Sequence, residues 1–235
     1  MTTKITTLGF DADDTLWHNE HLFRLTEQRF AELLADYTDV AGLKAHLLEA
    51  EKRNILHYGY GIKSFTLSMI ETAIEVTDRQ VPADVISQIL DAGREILAEP
   101  AAPLPHVIET LKTVKQNDYK IVMITKGDLF DQERKAVGSG LDRYFDAIEI
   151  VSEKTPETYE TLFHRHGKGA QEAMMIGNSL KSDVLPALKA GSFGTHVPFS
   201  RTRALEEADT PETTDRFFQI DHIGQVPELL AALAA

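Results

Sequence analysis

Gly9-Phe10-Asp11-Ala12-Asp13-Asp14-Thr15-Leu16 closes a short apolar run near the start of the chain. Residues 4–10, Lys-Ile-Thr-Thr-Leu-Gly-Phe, read as a buried strand from their apolar and β-branched content and the turn-forming acids behind them. Side chains alternate along an extended backbone, so Asp11 and Asp13 project to one side, with Thr15 two residues further on. Two carboxylates this close resist joint ionisation, and a bound cation, a shared proton or both is the usual remedy. A metal-assisted nucleophile with a neighbouring acid/base requires this arrangement.

Beyond residue 19 the pattern changes. Segments 22–37, 40–57, 62–76 and 82–97 carry apolar residues at three- and four-residue spacing, which predicts four amphipathic helices in succession. Asp39 suits the cap of the second, and Pro82 suits the first turn of the fourth. After the proline-rich stretch 99–105 a βα rhythm sets in. Helices are expected at 105–117, 132–137, 156–166 and 182–190, alternating with strands at 119–125, 147–151, 173–177 and 194–198. The rhythm predicts a doubly wound, Rossmann-like parallel sheet with helices on both faces. Residues 1–16 and 98–235 would form this α/β core, and 17–97 an inserted all-helical cap domain. Ligands bind such sheets in the crevice at the carboxyl ends of the strands, where Asp11 and Asp13 fall.

The bulk numbers narrow the function. A chain of 235 residues, 43% hydrophobic and 26% charged, can bury a full core. Its 24 basic and 37 acidic residues give a formal net charge of -13, which disfavours a nucleic acid partner. With no cysteine, thiolate nucleophiles and thiolate metal sites are excluded. No apolar stretch approaches a membrane span and the N-terminus has no signal-like h-region, so no membrane partner and a cytoplasmic location are expected. The oligomeric state expected is monomer or homodimer.

Three further strand ends carry polar groups. Ile121-Val122-Met123-Ile124-Thr125-Lys126-Gly127-Asp128 delivers a hydroxyl and backbone amides at the head of a helix, a spot suited to an anion or simply a strand stop and helix cap. Ser152-Glu153-Lys154-Thr155-Pro156 sets a lysine at a helix start, where the dipole repels cations. An exposed loop lysine is the bland alternative. In Met175-Ile176-Gly177-Asn178-Ser179-Leu180-Lys181-Ser182-Asp183, glycine permits close backbone approach while Asn178 and Asp183 offer hard oxygen donors, unless they are only turn residues.

Taken together and in order, Asp11-Ala12-Asp13-Asp14-Thr15, Thr125, Lys154 and Gly177-Asn178-Ser179 through Asp183 resemble the four motifs of the haloacid dehalogenase superfamily, in its phosphatase-type branch with a helical cap. The resemblance implies that Asp11 attacks phosphorus to form an aspartyl phosphate and that Asp13 protonates the leaving oxygen, then activates water. It further implies that Thr125, Lys126 and Lys154 hold phosphoryl oxygens. Mg²⁺ would be bound by Asp11, Asp13 through its backbone carbonyl, Asn178 and Asp183. The substrate implied is a small phosphorylated metabolite. Two departures stand out: Asp14 occupies a position where relatives often have glycine, and Asn178 one where many have aspartate. A phosphomutase uses the same motifs, a non-catalytic phosphate-binding protein could keep the fold, and dehalogenation would have no use for Asp13.

Other residues invite readings. Trp17 and His18 follow the first motif, as a hinge or with a ring toward substrate. The segment 57–64, with Tyr58, Tyr60 and Lys63, is the candidate for substrate selection, or an ordinary helix-helix turn. His164 and His166 point about 200 degrees apart on a helix, too far for shared metal ligation. Arg201 and Arg203 read as loop charges.

Overall fold

The computed structural model describes residues 4–199, 206, 208–211 and 215–234, so Arg201 and Arg203 lie outside the described residues. Two compact units make up the chain: one holds residues up to Glu20, Ala101–Thr125 and those from Arg134 onward, the other His21–Pro100 and Lys126–Glu133.

The helical unit contains most of α1 (Glu20–Leu33) together with α2 (Val40–Tyr58), α3 (Ile62–Val76) and α4 (Ala83–Ala98). Its core follows helical spacing, with Phe23, Phe30 and Leu34 meeting Leu47, Phe65 and Met69. The Asp39 carboxylate caps α2 by accepting from the Gly42 amide. Pro82 stands one position before the first turn of α4, at its cap, with φ -63 and no side-chain bond. No helix among the described residues is long and apolar enough to cross a membrane.

The other unit is built on a sheet of β1 (Thr7–Phe10), β2 (Lys120–Lys126), β3 (Ala147–Val151), β4 (Ala173–Gly177), β5 (Phe193–His196) and β6 (Phe217–Gln219), in the order β3-β2-β1-β4-β5-β6. β1 pairs in parallel with β2 and β4, and β5 in parallel with β4 and β6. Alternation along β2 decides which helices cover which face. Ile121 and Met123 pack with Leu111 of α5 (Val107–Gln116), Ala136 of α6 (Leu129–Gly138) and Leu230 of α9 (Val226–Ala234). Val122 and Ile124 pack on the opposite face with Tyr159 and Phe163 of α7 (Pro156–His166) and Ala187 of α8 (Leu185–Lys189). On that second face Gly9 lets α7 approach: a Cβ there would meet Met175 Sδ at 3.0 Å and Phe163 Cε1 at 3.1 Å. The fold is therefore the doubly wound α/β arrangement expected, accompanied by a separate all-helical unit.

Local differences have local causes. β6, three residues long, carries too little pattern to be read from sequence. Where a helix was expected at 182–190, a wide π-type turn spans Leu180–Val184 and the α-helix follows only at Leu185. Its backbone widens where Asp183 bends back on the strand end.

Candidate active site

Strand order places the switch point at β1, whose neighbours β2 and β4 lie on opposite sides, and the crevice opens at the carboxyl ends of these strands. Asp11 follows β1 directly and is buried. Its Oδ1 accepts from Lys154 Nζ at 2.5 Å and its Oδ2 from the Thr15 hydroxyl at 2.9 Å, so both oxygens are held and the carboxylate plane is fixed. Lys154, three residues past β3, is buried against Asp11 and is not an exposed loop lysine. Its side chain is 1% exposed, and Nζ also reaches Asp183 Oδ1 at 2.7 Å.

The Asp183 carboxylate occupies the space a side chain at Gly177 would need: a Cβ there would sit 2.3 Å from Asp183 Oδ2. That oxygen accepts from the Ser179 amide at 2.9 Å. Thus the glycine ending β4 and the wide turn at 180–184 serve one purpose, bringing a carboxylate back against the strand end. Such turns are frequent at functional positions. The Ser179 and Ser182 hydroxyls, at 2.7 Å and closer, both donate to Glu206 Oε2.

Two buried acids thus share one ammonium. Burial alone would lower the Lys154 pKa, but Asp11 and Asp183 outweigh it and hold the lysine above its usual range, fully charged. The remaining negative charge falls on Asp11, which burial and then Asp183 push up to about 7 despite the pull of Lys154. Tyr159, buried beside the acids and donating to the Ser182 carbonyl at 2.9 Å, is pushed well above the tyrosine range, chiefly by burial.

That surplus charge is a test of whether a divalent cation suits the site. Thr15 has a single hydroxyl proton, and the 2.9 Å bond to Asp11 uses it. Asn178 Oδ1, 3.3 Å from the same hydroxyl oxygen, is therefore not satisfied by Thr15, while the Asn178 amide N–H donates to Thr15 at 3.1 Å. Among the described residues no group of three or more His, Cys, Asp or Glu converges. The donor set is thus two carboxylates plus neutral oxygens. Mg²⁺, which commonly uses one or two carboxylates and keeps waters, fits it, whereas a soft or imidazole-seeking ion does not.

Asp13 is more open, with its side chain 24% exposed. Its Oδ1 accepts from Trp17 Nε1 at 2.7 Å and from Lys135 Nζ at 2.9 Å. Trp17 is wholly buried, which corrects the reading of its ring as a substrate contact. Asp14 turns away with φ 60, a conformation natural to glycine and tolerated by Asp, and accepts from the Asn19 and Glu20 amides at the head of α1. Burial is the main cause that raises its pKa to about 7.

Thr125 is buried at the end of β2, two residues beyond Met123, which pairs with Phe10. The other candidates lie in the helical unit. Lys126 Nζ sits 4.0 Å over the Tyr60 ring, and Lys63 pairs with Asp128 at 2.9 Å. Tyr58 is exposed and lines a cavity of about 510 Å³ with Asn54, Leu67 and Arg79. His166 and Arg165 converge on Glu149 at 2.6 and 2.9 Å.

Lys135 escaped the sequence reading. Its signal was there: Asp131, Gln132, Lys135 and Ala136 form the buried stripe of α6, and a lysine on a buried stripe needs an acid to meet it.

The sequence matches the family model of haloacid dehalogenase-like hydrolases over residues 5–191. The chain belongs to this family. A haloacid dehalogenase-like family hydrolase from Xanthomonas campestris has a solved structure that is 40% identical, with TM-score 0.86, covering 97% of this chain and 91% of that one. In sequence, the chain is 23% identical over 236 residues to a glyceraldehyde 3-phosphate phosphatase of Methanopyrus kandleri, covering 96% of this chain and 97% of the relative. The L-2-haloacid dehalogenase from Xanthobacter autotrophicus superposes with TM-score 0.66 at 17% identity, over 97% of this chain and 98% of that one, a likeness of fold alone. The chain is a hydrolase of the haloacid dehalogenase-like type.

Proposed function

We propose that this hydrolase is a Mg²⁺-dependent phosphomonoesterase that works through an aspartyl phosphate on Asp11. The observation that carries the reading is Asp13, a second carboxyl group two residues from the nucleophile and held by Trp17 and Lys135. Displacement of a halide from carbon releases an ion that needs no proton. Release of an alkoxide does, and Asp13 suits that task.

In the first half-reaction Asp11 bonds to phosphorus, the ester P–O bond breaks, and the leaving oxygen takes the Asp13 proton. Water then attacks phosphorus, the Asp11–phosphorus link breaks, and the water proton returns to Asp13, giving inorganic phosphate and the starting enzyme. Thr125 and its neighbouring amides hold phosphoryl oxygens, as does Lys154. That lysine also keeps Asp11 in its attacking orientation through the 2.5 Å bond. Mg²⁺ would be held by Asp11, Asp183, Asn178 Oδ1 and the Asp13 carbonyl, and would supply charge neutralisation for the phosphoryl group. Residues 17–97 act as the cap, and Tyr58, Tyr60 and Lys63 with Lys126 select among substrates.

Asn178→Asp tests the metal assignment. Adding one charge to the donor set should tighten Mg²⁺ about tenfold, ~1.4 kcal/mol, by calorimetric titration. Unchanged affinity would set Asn178 outside the shell.

The substrate class proposed is a small phosphorylated metabolite, with three-carbon sugar phosphates first because of the relatives named glyceraldehyde 3-phosphate phosphatase. A panel of phosphate esters with Mg²⁺ should release free phosphate from at least one, with kcat/KM above ~10⁴ M⁻¹s⁻¹. An isomeric ester in place of phosphate would make the protein a mutase, and no turnover at all would leave a binding protein.

A further inference from the structure

We propose that Lys135 is a positioning residue that aims the Asp13 carboxyl group for proton transfer, an inference that rests on the phosphatase reading above. Lys135 lies on α6, with a side chain only 7% exposed. Burying an ammonium is costly unless it is paired and hydrogen-bonded. Its partners include Asp13 Oδ1 and Asn19 Oδ1, each at 2.9 Å.

The same Asp13 oxygen accepts from Trp17 Nε1 at 2.7 Å. Trp17 comes from the turn after β1 and Lys135 from a helix more than a hundred residues later, so Oδ1 is pinned by donors on two independent supports. With one oxygen pinned, rotation of the carboxyl group is arrested. As the ester P–O bond breaks, the Asp13 carboxyl proton passes to the departing oxygen; in the second half-reaction a proton of the attacking water returns to Asp13. Misplacement of a reacting group by about 1 Å can cost ~10²-fold in rate. The bond to Asn19 gives the ammonium a second anchor that does not depend on Asp13.

A positioning role has a signature that a merely structural one lacks. Help from a general acid matters most when the leaving oxygen is strongly basic, and kcat/KM reports the half-reaction in which it leaves. Lys135→Met keeps the length of the side chain and removes its charge and donors. In this variant kcat/KM for glycerol phosphate, an alkyl ester, should fall ~10- to 100-fold, while that for p-nitrophenyl phosphate, whose leaving group needs little protonation, should fall less than about threefold. In an Asp13→Asn background the same substitution should cost nothing further on glycerol phosphate, because the group it aims is gone. Lys135→Gln, which keeps a neutral donor, should give the same pattern with a smaller loss and serves if the methionine variant unfolds.

Equal losses on both esters, additive losses with Asp13→Asn, or no loss on either would each overturn the assignment. Absence of phosphate release by the wild-type protein from either ester would instead overturn the phosphatase reading, whatever Lys135 does.

Discussion

Asp11→Asn is expected to lower kcat for every phosphate ester by at least ~10⁴-fold while the protein folds normally. The amide nitrogen cannot attack phosphorus, and no neighbouring carboxylate can substitute. Asp183 is turned toward Lys154 and the Ser179 amide, and Asp13 is committed to Trp17 and Lys135. Folding should survive because the amide can still accept from Lys154 or Thr15, and loss of one buried charge relieves the burial penalty and the repulsion from Asp183 that together raise Asp11 to about 7. Rapid quench in acid with a phosphorus-labelled substrate checks the cause directly: label should be trapped on the wild-type chain and absent from the variant. Residual turnover within about tenfold of wild type would move the nucleophile elsewhere.

Lys154→Met should have the second largest effect, and on stability as well as rate. Its ammonium is the common partner of two carboxylates that are themselves almost wholly buried. Breaking a buried ion pair from one side typically costs ~3–5 kcal/mol because a charge is left unpaired. In a chain of this size that corresponds to a fall in Tm of the order of 10 °C. The sign of the pH dependence follows from Asp11, raised to about 7 chiefly by burial. A carboxyl with a raised pKa is stable in its neutral form and costs stability as pH rises through that value, so the loss should be greater at pH 8 than at pH 6. Millimolar Mg²⁺ should restore more of the variant's Tm than of the wild type's, since a cation takes up part of the missing charge. Thermal unfolding with Mg²⁺ and with a chelator gives the comparison, and a shift under about 2 °C in the chelator would mean the acids are not frustrated without the lysine. Catalysis should drop ~10²- to 10³-fold even with Mg²⁺, the loss typical of removing one preorganised donor.

Much of this was legible in the residues. Strands β3 and β4 and helix α7 begin and end where their periodicity and turn residues put them, because each is bounded by an unambiguous breaker. Helix starts were less legible. The α6 helix begins at Leu129, three residues before the expected start, because its first turn exposes Leu129 and Phe130 and buries Asp131, the reverse of the apolar-in pattern that marks a helix. The wide turn at 180–184 could not be read, since its cause is a side chain folding back on a strand end. In the site, Asp11, Lys154 and Asp183 converge from three motifs that sequence order alone aligns. Lys135 and Trp17 were missed as Asp13 partners for a different reason. Neither belongs to a strand end, and both owe their importance to what they hold, which only coordinates reveal.

The central position of β1 bears on how the enzyme is made. Asp11 and Lys154 are 143 residues apart in the chain, and β1 must wait for β4, ending at Gly177, before its second edge is paired. At ~5–20 residues per second of synthesis, this leaves that edge of the first strand unpaired on the ribosome for on the order of ten to thirty seconds. Thr7–Phe10, wholly buried in the finished protein, would meanwhile present an open apolar edge to any chaperone or neighbouring nascent chain.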